Sequence, residues 1–441
     1  MTLYEVPAAA PFLDSIAAAW LGRSGHDPSR TAHGLILLPT RRAARALAEA
    51  FLRQSGGRPL LLPRIAGFGA LDETPLALAG GLELLPAVGR LERQSVLTRL
   101  ILAAESGGGL PGRVDRAWAL AAELAALQDE AERAEVDLRA ALPNAVPEEY
   151  AAHWQQTLTF LGIVTEAWPA WLAEQRLMNP VARQVALLAA LARAWQDSPP
   201  GHPIWVAGSS GEIPAVARLV AVIAGLPEGA VILPGLDRAM AEEHFSALAV
   251  GHPEHADAGM ARLLAALGGR RDDVRPFAAL SSTVPEGRAL TLRRALLPAP
   301  ALSDWIPADW AAPTGSVELA GLWRLEAADQ QEEAVAIALA LRGALEVPAA
   351  RAALITPDRE LARRVAAELG RFGVVADDSA GENLDETPPA VFLRLLAAAT
   401  VAEFAPVELL ALLKHPLFAA GLASPAAREA ARALEIRLLR G

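Results

Sequence analysis

The chain has 441 residues, a formal net charge of −11, 53% hydrophobic but only 5% aromatic residues, and no cysteine. The absence of cysteine excludes disulfides, thiol catalysis and iron–sulfur ligation within these residues. The acidic balance is unlike that of a dedicated nucleic-acid coat, although it leaves room for a local basic track. No uninterrupted apolar run reaches the length of a membrane span, since Val216 to Leu226 is broken by Arg218 and ends at Pro227. The first residues, MTLYEVPAAAPFLD, lack the basic start of a signal peptide, so a soluble cytoplasmic protein with no membrane partner is expected.

In chain order, four short apolar runs each lead through a turn into a helical pattern: Leu35–Leu38, Ile204–Ala207, Ala230–Leu233 and Ala352–Ile355. Continuous apolar strands feeding helices predict parallel sheets buried on both faces, which is an α/β fold. Between the first two runs, residues 88–196 carry apolar residues at three- and four-residue spacing and predict a large helical insertion. Trp118, Trp154, Trp168, Trp171 and Trp195 fall in it, and helix–helix core is the plainer reading for them than base stacking. The expected organisation is therefore a first α/β part over 1–87, the insertion over 88–196 and the rest of that domain over 197–269. A linker or irregular connection over 270–315 and a second α/β domain over 316–441 follow. The second domain is expected to begin with strand ELAGLWRLE, to contain strands AALIT and GVVA, and to be incomplete, because SPAAREAARALEIRLLRG is still in a helical pattern at residue 441.

Lys414 is the only lysine, and it sits in LLKHPLF, away from any glycine-rich loop. A P-loop, a kinase and a pyridoxal-phosphate enzyme each need a lysine in a defined context. Ser209 and Ser210 in GSSG do not form a nucleophile elbow, and helix capping is the plainer role for them. His252 and His255 are the closest histidine pair, with no third ligand at metal spacing.

Four stretches carry a resemblance by their order and spacing: APFLDSIAAAWL, LILLPTRRAARALAEAFL, IWVAGSSGEIPAVARLVAVIAGLPEGAVILPGLD, and LWRLEAADQQEEAVAIALALR with AALITPDRELARRVAAELGRFGVVADDSAG. Together they resemble a degenerate superfamily 1 helicase of the UvrD type, and more closely the N-terminal part of the AddB family of double-strand-break repair subunits. Glu332 and Glu333 mark the resemblance without chemistry of their own. In active helicases the first strand enters a P-loop. Here the corresponding stretch, Tyr4 to Ser15, has neither glycine nor lysine, and Gly22 to Asp27 (GRSGHD) also lacks the lysine. The strand matching the magnesium-binding one, Ile204–Ala207, has no carboxylate, and Glu212 lies beyond it in the loop. ATP turnover is therefore not expected.

What the resemblance retains is DNA contact. LPTRRAARAL resembles the helicase segment in which a threonine and backbone amides touch single-stranded phosphates, which makes Thr40, Arg41, Arg42 and Arg45 contact candidates. Residues 40–53 hold four arginines against one acid, Glu49, so a solvated helix face with Thr40 as its N-cap remains open. Thr356, Arg359 and Arg363 occupy the parallel position in the second domain, with Arg364 beside them and Asp358 as a first-turn acid. The resemblance further implies an AddA-like helicase–nuclease partner in a heterodimer, a DNA-guiding role and help in recognising Chi. It also implies an iron–sulfur cluster and magnesium only in a C-terminal nuclease part outside these residues. A nucleotide-binding α/β enzyme without a standard P-loop and a purely structural adaptor are the other readings.

Overall fold

The computed structural model describes residues 1–439 apart from 26, 72–83, 107–112, 146–150, 210, 212, 239, 253, 282–285, 305–320, 349 and 382. Two compact units, Met1–Leu322 and Trp323–Gly441, make up the chain.

The first unit runs β1 (Leu3–Val6), α1 (Phe12–Ser24), α2 (Pro28–Ala32), β2 (Leu35–Leu38), α3 (Arg41–Gln54) and β3 (Arg64–Gly67). The helices α4 (Arg90–Ser106), α5 (Val114–Ala134), α6 (Leu138–Ala141) and α7 (Ala151–Gly162) follow, then a π-helical turn (Ile163–Ala167), α8 (Trp168–Gln175) and α9 (Pro180–Asp197). After these come β4 (Ile204–Ala207), α10 (Pro214–Gly225), β5 (Gly229–Pro234), α11 (Glu242–Gly251), α12 (Ala258–Ala266), β6 (Arg275–Pro276) and α13 (Glu286–Ala295). The six strands form one sheet in the order β3-β2-β4-β5-β1-β6, and every pairing is parallel.

The central strands β2, β4 and β5 are apolar because each face of the sheet meets a helical layer. Successive residues alternate between the two faces. Leu35, Leu37, Ile204, Val206, Val231 and Leu233 join Leu219, Ile223, Leu248 and Leu263 in one core. Ile36, Leu38, Trp205, Ala207 and Ile232 join Ile16, Trp20, Leu47 and Phe51 in the other. Trp20 stands edge-on to Trp205 at 4.8 Å, and its indole N–H donates to Thr31 O at 2.9 Å. The fold is thus α/β, a parallel sheet between helical layers. The short strands β3 and β6 go beyond the four expected runs: β3 breaks its apolar pattern with Arg64, and β6 is only two residues long.

Residues 90–197 are mostly helical where they are described, with breaks at 113, 135–137, 145 and 176–179, and build a third core from Val96, Leu97, Ile101, Leu124, Val164 and Trp168. Trp168 is fully buried and stacks on Trp171 at 5.0 Å, Trp154 donates to Leu142 O at 3.0 Å, and Trp195 packs beside the sheet core. Trp118 departs from the core reading, being 38% exposed. Glu135 and Arg218 form a bidentate pair, both bonds 2.6 Å, that ties the insertion to α10.

The second unit differs from the expectation. Its described elements are α14 (Gln330–Leu345), α15 (Arg359–Gly370), α16 (Pro388–Val401), α17 (Pro406–Leu413) and α18 (Ser424–Leu434), a short 3-10 turn and a terminal π-helical turn. No strand occurs among its described residues: LWRLE, AALIT and GVVA form no ladder, and residues 318–320 of the first predicted strand lie outside the described residues. The physical reason is visible in burial. Leu354 and Val374 pack on Ala334, Ala338, Val365 and Leu369, whereas Ile355 and Val375 are 94% and 95% exposed, so one face of each segment has no cover. No helix among the described residues is long and apolar enough to cross a membrane.

Candidate nucleic-acid interface

All six strands run the same way, so the turns after β1, β2, β4 and β5 gather at one edge of the sheet. Open α/β sheets bind ligands at that edge, where the connections diverge. Here the chain leaving β1 passes β5 and β4 to reach β2, while the chain leaving β5 passes β1 to reach β6, which places the divergence between β1 and β5.

Protein groups from several turns approach one another closely around that crevice. Gly235, with φ +61, donates its N–H to Val6 O at 2.8 Å, and a Cβ on it would lie 2.9 Å from the Cβ of Ala8. The Phe12 ring approaches to 3.4 Å of where a Cβ on Gly208 would stand, with Pro39 at 3.9 Å. From the far side, Arg293 Nη2 donates to Leu236 O at 3.1 Å. No residue between Val6 and Phe12 adopts a left-handed conformation, and Pro7 and Pro11 have no N–H, so the turn offers no nest of amides to a phosphate. β4 ends at Ala207 without an acid, and the sole lysine, Lys414, is paired with Glu435 in the second unit. The hydroxyl of buried Ser209 accepts from Gly211 N at 3.4 Å, a local turn contact, while Ser210 and Glu212 lie outside the described residues.

No protein-family model matches this chain, and no curated protein does either.

At the same edge of the sheet the β2–α3 turn is exposed. Thr40 has extended backbone angles, and its hydroxyl oxygen accepts from Ala43 N at 3.1 Å, so it is the N-cap of α3. That bond uses the oxygen as acceptor and leaves the O–H free to donate to a phosphate oxygen. The turn is held from below: a Cβ on Gly67, at the end of β3, would lie 3.4 Å from the Thr40 carbonyl carbon. The first turn of α3 carries no acid. Its helix N-terminus therefore adds partial positive charge to that of the arginines.

Arg41, Arg42 and Arg45 are all exposed or half-exposed, and Arg41 and Arg45, four residues apart, share one helix face. Their engagement differs. Arg42 interacts within the chain, whereas Arg41 and Arg45 make no ion pair or hydrogen bond with any described side chain. Arg53, at the far end of α3, is held by Asp14 through bonds of 2.9 and 2.8 Å, and that carboxylate raises its pKa.

The second candidate set is assembled but occupied. Thr356 Oγ1 accepts from Asp358 N at 3.1 Å, so the threonine braces the turn instead of capping the helix. The N-cap of α15 is Asp358, which accepts from Glu360 N and Leu361 N; the acid expected in the first turn sits one position before the helix. Arg359 is clamped by Asp378 at 3.1 and 2.6 Å, Arg363 reaches Glu386 at 3.4 Å, and Arg364 pairs with Glu360 at 2.5 Å.

Among the described residues no group of His, Asp and Glu is arranged to hold a metal. His255 accepts from Asp257 N at 3.1 Å through Nδ1 and places Nε2 2.9 Å from Leu296 O, while His252 turns to Glu254. Sequence reasoning missed the close approach of Phe12, Ala8 and Arg293 to neighbouring turns, because it depends on contacts between turns far apart in the chain. The glycines at 208 and 235, each closely following an apolar run, were the available signal.

Proposed function

We propose that this chain is a non-hydrolysing, helicase-like DNA-binding scaffold of the UvrD and AddB type. In this reading it guides DNA for an AddA-like helicase–nuclease during double-strand-break processing and assists Chi recognition. The observation that carries the reading is the exposed, arginine-bearing start of α3, at the same sheet edge as a switch-point crevice approached closely by Phe12, Ala8 and Arg293. A sheet edge that lacks a P-loop lysine but has free cations at one turn is suited to hold a phosphate backbone without turning it over. Exposed apolar residues in the second unit, Trp323, Ile355 and Val375 among them, support a protein partner. The iron–sulfur cluster and magnesium of such a complex would belong to residues outside this chain, which has no cysteine.

Calorimetry with ATP and magnesium, paired with anisotropy on a labelled single-stranded oligonucleotide, tests the reading. DNA binding without micromolar ATP binding is expected. ATP binding at micromolar affinity would instead favour the nucleotide enzyme, and binding of neither would favour the adaptor.

A further inference from the structure

We draw no further inference here: the strongest candidate, the exposed apolar surface of the second unit that includes Trp323, Ile355 and Val375, carries nothing because nothing in the structure shows what covers it.

Discussion

Arg41 and Arg45 on one side, and Arg359 and Arg363 on the other, share a sequence context and differ in what they touch. Each pair follows a threonine-containing turn and is spaced four residues apart on a helix. A cation with no internal partner can neutralise a phosphate without first breaking a bond, whereas Arg359 would have to leave the bidentate grip of Asp378. Replacing Arg41 and Arg45 with alanine is therefore expected to weaken single-stranded DNA binding. Its log–log salt slope should flatten by about 0.7 for each phosphate that is no longer neutralised. Arg359→Ala with Arg363→Ala should leave that slope unchanged. A second residue-scale expectation concerns Asp257. Burial raises its pKa from 3.8, and Asp237 adds to the rise, while His255, Arg293 and Arg271 oppose it. With its folded-state pKa above the unfolded value, the group binds its proton more tightly in the folded chain. The stability it contributes is present at low pH and declines as pH rises through the raised value. Asp257→Asn should then raise the melting temperature at neutral pH, and the gain should shrink as pH is lowered towards about 4; a constant gain would assign the effect elsewhere.

At the scale of elements, three of the four predicted strands coincide with β2, β4 and β5 to within a residue, because a fully buried parallel strand must be apolar on both sides. The fourth, Ala352–Ile355, has the same local pattern and forms no strand. An apolar run records what a segment could bury, but not whether a neighbour and a second covering layer exist, and here Ile355 faces solvent. The tightest backbone requirement was equally hidden. A Cβ on Gly229 would lie 1.8 Å from Ile223 O and 2.9 Å from Leu226 Cβ, so the α10–β5 turn closes only on glycine. Gly229→Ala is expected to destabilise the first unit by about 3 kcal/mol or more, or to prevent its folding, as read from the urea midpoint. Retention of the wild-type midpoint would mean that α10 can shift away.

For the whole molecule, what could be read beforehand divides by the range of the interactions involved. The missing lysine and the carboxylate-free strand are local facts, and they pointed away from ATP before any fold was known. Thr40 as an N-cap was legible for the same reason. The close approach of Phe12, Ala8 and Arg293 to neighbouring turns and the pairing of Arg359 with Asp378 each join residues from different elements, and no periodicity encodes them. An acidic chain, at −11 overall, can hold DNA only if its few free cations are concentrated at one place. Titrating a labelled single-stranded oligonucleotide with the full chain over a range of salt concentrations therefore tests the central claim most directly. Saturable binding is expected, with the logarithm of affinity falling linearly with the logarithm of salt and the slope reduced when Arg41 and Arg45 are replaced by alanine. Absence of binding at low salt, or binding whose affinity does not change with salt, would contradict a scaffold that holds DNA by its phosphates.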